Sequence, residues 1–197
     1  RRIGKSTIAE SFAKNEYKSY ILIDFSKSAD DIIKCFDDIG NLNIFFLRLQ
    51  AETGITLYEH ESLIIFDEIQ LCEEALTALK YFYEEAPEYH ILVAGSLLGV
   101  AVSRKKFSFP VGKVDMKTLY PMDMEEFLLA MGEEILVKEI KKSFDTNTPL
   151  SAALHDKAMI LYRKYLIVGG MPECVKLFIE TENYILVRHI QDTILAS

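Results

Sequence analysis

Basic charge is in short supply in this sequence. Its 197 residues hold 22 Lys and Arg against 30 Asp and Glu, a formal net charge of −8. So acidic a chain is a poor general binder of nucleic acid, where affinity comes from neutralising phosphates, although a local basic patch is still allowed. Cysteine is scarce too. Cys35, Cys72 and Cys174 stand far apart, in no metal-ligand spacing, and an odd, scattered set implies reduced thiols and a cytoplasmic setting. His60, His90, His155 and His189 have no partner at ligand spacing, so no metal site built from protein ligands alone is assigned. No apolar run approaches the ~20 residues of a membrane span, and these residues hold no signal-peptide pattern, although the true N-terminus is expected to lie upstream of Arg1. No initiator Met stands at position 1, and the final stretch, YILVRHIQDTILAS, has helical character without a stop signal. The chain is therefore expected to begin and end inside a longer protein. Internal repeats and low-complexity tracts are absent.

Apolar content, by contrast, is ample. At 50% of residues it supports one sizeable core, or a core with a small helical appendage. Helical and strand patterns alternate, which predicts an α/β fold with a mostly parallel sheet covered on both faces. Ile8, Ala9, Phe12 and Ala13 form a helical stripe just after Ser6. YILIDFS (20–26), SLIIFDEIQ (62–70) and HILVAGS (90–96) have the apolar runs of buried strands. Residues 29–53 read as helical, Leu76 to Ala86 as the next helix, and KVDMKTLY (113–120) alternates like a half-buried strand. After Pro121 the character changes, and from 133 onward no strand is convincing. This predicts a core over 1–132 and a helical subdomain over 133–197, in which Gly169-Gly170 ends one helix and Pro172 starts another.

Two stretches carry chemistry. The chain opens RRIGKST, and Gly4-Lys5-Ser6-Thr7 matches the second half of a phosphate-binding loop, G-x-x-x-x-G-K-[ST]. In such a loop Gly4 permits close approach to phosphate, Lys5 reaches the β and γ phosphates, and the Ser6 hydroxyl holds Mg²⁺. The helix start behind it adds a positive dipole. The tetrapeptide alone is weak, because Gly-Lys-Ser also occurs by chance. LIIFDEIQ decides the matter: a buried strand delivers Asp67 to orient the ion's water shell and Glu68 to polarise an attacking water. Either carboxylate alone would be an ordinary polar strand end. The strand ILVAGS places Ser96 either near a γ phosphate or as the N-cap of residues 97–102, and one Ser could do both.

Together, RRIGKST, LIIFDEIQ, ILVAGSLLG, PVGKVDMKTLYPMDMEEFLLA and YLIVGGMPECV resemble the prokaryotic AAA-type ATPases, of the AAA+ P-loop NTPase superfamily, whose C-terminal half carries a domain of unknown function. The likeness runs nearly end to end. It implies Walker A and Walker B motifs, a central phosphate-loop strand, an ATP·Mg²⁺ site, a helical lid and a second domain beyond it. The family's loop begins with a Gly that would precede Arg1, so the first strand is expected to be missing here. The family often has Gly-Arg where this chain has Gly112-Lys113. Lys113 could contact phosphate only as a point charge, without the planar fork of Arg. The basic cluster Arg104, Lys105 and Lys106 reads as a solvated loop, and a finger role for Arg104 has no support.

The expected function is ATP binding and Mg²⁺-dependent hydrolysis, with movement of the helical subdomain. A nucleotide-dependent interaction module with little turnover is one alternative, with an unknown protein partner or self-association. A small-molecule kinase is another, weakened by the few Arg residues after 113. A GTPase is disfavoured because no Asn-Lys-x-Asp segment occurs.

Overall fold

The computed structural model describes residues 2–28, 30–95 and 112–196. Ser96 and the basic cluster at 104–106 lie outside them. By its contacts the chain divides into two compact units, Lys5–Lys117 and a second running from Thr118 onward together with the residues up to Gly4.

The first unit is built on three parallel strands in the order β1-β2-β3. They are β1 (Ser19–Asp24), β2 (Ser62–Asp67) and β3 (His90–Val93). Register runs from Ser19↔Ser62 to Asp24↔Asp67 on one side of β2 and from Leu63↔His90 to Phe66↔Val93 on the other. β2 is therefore central among the described strands, and all six of its residues are buried. That is why its sequence is a continuous apolar run rather than an alternation.

Parallel neighbours require crossovers. The first contains α2 (Asp30–Lys34), a 3-10 turn (Cys35–Asp38) and α3 (Leu42–Thr53); the second contains α4 (Glu73–Glu85). The helix expected over 29–53 is thus split. Gly40-Asn41 interrupts it, and the Asn41 side chain caps α3 by accepting from the Ile44 N–H at 3.3 Å. On one sheet face Ile21, Ile23, Ile64 and Phe66 pack with Phe36, Phe45, Phe46, Leu49 and Phe82. Ring centroids there approach to 5.0 Å for Phe36–Phe45 and 4.3 Å for Phe46–Tyr89, pairs that each add roughly 0.5–1.5 kcal/mol to area burial.

The opposite face carries α1 (Lys5–Glu16), whose Ala9 and Ala13 pack on Leu63 and Ile65. The predicted stripe of four is halved: Ala9 and Ala13 are buried, while Ile8 and Phe12 are 54% and 46% exposed. Two small side chains let the helix lie close to the sheet, and the larger pair flanks the contact. Residues 113–120, expected to be a strand, form none. Alternation of apolar and polar residues does not by itself supply a pairing partner, and none of the described strands pairs with this segment.

The second unit is helical: α5 (Met124–Ala130), α6 (Glu134–Thr146), α7 (Ala152–Val168), α8 (Pro172–Thr181) and α9 (Tyr184–Leu195). Asp123 and Glu126 close a reciprocal capping box on α5 at 2.9 Å in both directions. Phe127, Val168, Cys174, Val175, Phe178 and Val187 make one core cluster, and Leu128, Leu136, Val137 and Leu161 another. Gly169 and Gly170 end α7 for different reasons. Gly169 sits at φ 74°, ψ −176°, a region that is essentially glycine-only. At Gly170 an added Cβ would fall 2.0 Å from the Met122 carbonyl oxygen. The Met122 N–H donates to the Gly170 carbonyl at 2.7 Å, and the Tyr165 hydroxyl donates to the Met122 carbonyl at 3.0 Å.

Candidate functional site

In open parallel sheets, ligand sites form beyond the carboxyl ends of the strands. Two acidic residues end neighbouring strands there, Asp24 on β1 and Asp67 on β2, in register with each other. Asp67 is only 6% exposed, and a carboxylate so placed needs partners. It has two. Its Oδ2 accepts from the Ser6 hydroxyl at 2.5 Å, and its Oδ1 accepts from the Glu68 N–H at 3.0 Å. Ser6 reaches Asp67 because Ala9 and Ala13, one and two turns further along α1, are seated on β2.

Lys5 opens α1 and is half-buried, and Ser6 and Thr7 follow in its first turn. Gly4 before them has φ 83°, which glycine adopts at little cost. The first turn of α1 holds no acidic residue, so nothing on the helix competes with an anion for its N-terminal N–H groups.

Glu68 has left-handed backbone, φ 52° and ψ 39°. It leads into a 3-10 turn (Ile69–Leu71) anchored by Ile69, whose side chain is fully buried and whose N–H donates to the Ala94 carbonyl at 3.3 Å. The Gln70 side chain folds back, its Nε2 donating to a Glu68 carboxylate oxygen. The Gln70 Oε1 is buried and has no hydrogen-bond partner among the described residues.

Asp24 accepts from the Ser26 N–H at 3.0 Å, the Ser26 hydroxyl at 2.5 Å and the Lys27 ammonium at 2.9 Å. Burial pushes its carboxyl up, but the hydrogen bonds from Ser26 and Lys27 outweigh that and hold it below the usual range. Lys27 is raised, first by its bond to Asp24, with the charge of Asp67 adding to the effect.

The structure thus brings Ser6, Asp67 and Glu68 together at one end of the sheet. Lys113 is elsewhere. It pairs with Glu84 in the last turn of α4, toward the amino ends of the strands, with its ammonium 5.9 Å from the Tyr83 ring. Two neighbours escaped the sequence analysis, Asp24 and Gln70. The signal for Asp24 was an apolar run ending in an acid, YILID, the same signature as LIIFD; for Gln70 it was a further polar residue after a strand end already rich in them.

A serine hydroxyl against a buried carboxylate is a hard-oxygen donor pair, suited to Mg²⁺, an ion that keeps several waters and takes few protein ligands. Among the described residues no three His, Cys, Asp or Glu side chains converge to hold a metal by themselves, and no helix is long and apolar enough to cross a membrane.

Comparison with known proteins places these features. The sequence profile of the AAA domain family matches residues 1–128. Among solved structures, the Walker-type ATPase PABY2304 of Pyrococcus abyssi is similar in fold, with a TM-score of 0.50 at 18% identity over 96% of this chain. The chain spans 63% of that protein. No curated protein matches the sequence.

Proposed function

Since the chain belongs to the AAA domain family, nucleotide-binding ATPases of the P-loop type, we propose that it binds ATP with Mg²⁺ and hydrolyses it with water as the phosphoryl acceptor. The observation that carries this is the 2.5 Å contact between Ser6 and Asp67: the hydroxyl of the Gly-Lys-Ser-Thr turn and the strand-end carboxylate, distant in sequence, meet at one point. Gly4 and the N–H groups of Lys5, Ser6 and Thr7 cradle the phosphates, and the Lys5 ammonium meets the β and γ oxygens. Ser6 and Asp67 would hold the Mg²⁺, directly or through water, and the ion would supply charge neutralisation to the phosphates. Glu68 accepts a proton from the attacking water as its oxygen bonds to the γ phosphorus and ADP departs. Ser96 contacts the γ phosphate, and Lys113 serves the bound nucleotide only if it leaves Glu84. Turnover moves the helical residues 133–197 relative to the 1–132 core.

A nucleotide-dependent interaction module with little turnover is favoured by one observation, the exposed apolar side chains of the helical unit, such as Phe144 at 86%, Leu166 at 63% and Ile185 at 80%. Phosphate release by the full-length protein decides between the two. Glu68→Gln is expected to keep ATP affinity within about twofold and to lose turnover by about 10²-fold or more. Equal turnover in that variant removes the base assignment. Tight ATP binding with no hydrolysis in the parent protein selects the interaction module.

A further inference from the structure

Gln70 sits two residues beyond Glu68, and its side-chain amide is held in one orientation. Only the N–H₂ end of an amide can face a carboxylate, so the bond from Nε2 to Glu68 fixes which way the group points. That leaves the amide oxygen buried, with no partner among the described residues. The turn around it is held at several points. Ile69 between the two is fully buried, the Leu71 N–H donates to the Glu68 carbonyl at 3.0 Å, and the Cys72 N–H donates to the Ile69 carbonyl at 2.9 Å. Glu68 also carries a left-handed backbone that a non-glycine residue rarely adopts. An unmet buried acceptor beside a strained acidic residue is unfavourable for folding, and such features persist where the surrounding structure imposes them for another purpose.

We propose that Gln70 is a second water-binding side chain of the hydrolytic site, a role that rests on Glu68 acting as the base. Its Nε2 keeps the Glu68 carboxylate in place. With nucleotide bound, its Oε1 is uncovered and accepts one hydrogen of the water whose other hydrogen Glu68 accepts. Held by both hydrogens, that water turns its lone pairs away from both acceptors and toward the phosphorus. As the O–P bond forms, the proton passes to the Glu68 carboxylate and the bond from the γ phosphorus to the bridging oxygen breaks, ADP keeping the electron pair. Gln70 gains and loses nothing. It orients the water that Glu68 alone would leave free to rotate.

The test is Gln70→Met in the full-length protein, a change that keeps the volume and removes both polar ends. Turnover (kcat) is expected to fall about tenfold or more while KM and affinity for a non-hydrolysable ATP analogue stay within about twofold. Thermal stability is the second readout. Losing the unmet acceptor offsets loss of the Nε2 bond to Glu68, so Tm should stay close to that of the parent, whereas a merely structural amide would lower it. Gln70→Asn keeps the amide but shortens its arm; should the Met variant not fold, it is expected to lose kcat by about fivefold or more, again at unchanged KM. Parent-like turnover in either folded variant overturns the proposal, and so does a lowered Tm with kcat and KM changed together. Glu68→Gln run alongside separates the two assignments. If it keeps full turnover, both the base and the role of Gln70 fall. If it is inactive while Gln70→Met turns over like the parent, only Gln70 falls.

Discussion

Asp67 shows how much rests on a single side chain. It is nearly buried, yet hydroxyl and backbone donors satisfy it. Its neighbour Asp24 is held by Ser26 and Lys27 below the ordinary carboxylate value of 3.8, so its ionised form favours the folded state. A depressed carboxylate contributes stability that is present above the unfolded-state value and is lost as pH falls through the folded one. Asp24→Asn should therefore lower stability at pH 7 by on the order of 1 kcal/mol, and the deficit should shrink once pH falls below 3.8 and close only below the lower folded-state value, where the parent side chain is neutral too. Melting curves from pH 7 downward measure this; a deficit independent of pH would mean that the charge contributes nothing. Asp67 was legible because burial forces an apolar run to stop where the chain meets solvent; Asp24 bore the same signature and was passed over. Gln70 was not legible. Its significance lies in an amide oxygen deprived of partners by packing, and no spacing rule encodes that.

Elements were legible in proportion to how locally they are determined. The three strands and the all-helical character after 133 follow from runs of apolar residues, and the structure bears both out. The expected strand at 113–120 fails because alternation specifies an extended chain but not a partner to pair with. The stripe on α1 was half right for a related reason: periodicity finds the helix, but the depth of contact is set by the sheet beneath. Ala9 and Ala13, 3% and 0% exposed, are small because α1 lies close to β2, and that closeness delivers Ser6 to Asp67. Ala13→Leu should wedge the helix away. It is expected to cost about 1–3 kcal/mol by overpacking and to weaken ATP binding more than the same substitution at exposed Lys14. Equal nucleotide affinities for the two variants would mean that α1 is not what positions Ser6.

At the level of the whole chain, three thiols report on folding. Cys35, Cys72 and Cys174 are free and buried, and burial raises each of them, so they are poorly ionised as well as shielded. The first two lie in the Lys5–Lys117 unit and the third in the other, so alkylation reads each unit separately. A ligand at about 100 times its Kd stabilises the state it binds by ~2.7 kcal/mol. ATP with Mg²⁺ should slow labelling of Cys35 and Cys72 by about a hundredfold where labelling requires the unit to open. Mass spectrometry of alkylated peptides reads all three sites at once, and unchanged rates at Cys35 and Cys72 would count against a nucleotide site in that unit.

The close approach at Gly170 has an implication for genetics. A methyl group there would land on the carbonyl of Met122, so space at this position admits no larger amino acid without displacing the backbone. Glycine codons share their first two bases, and any change in either replaces the residue or stops the chain. In a saturation library selected for folded protein, codon 170 should therefore tolerate third-base variation alone, while codons for exposed helix positions nearby accept many residues.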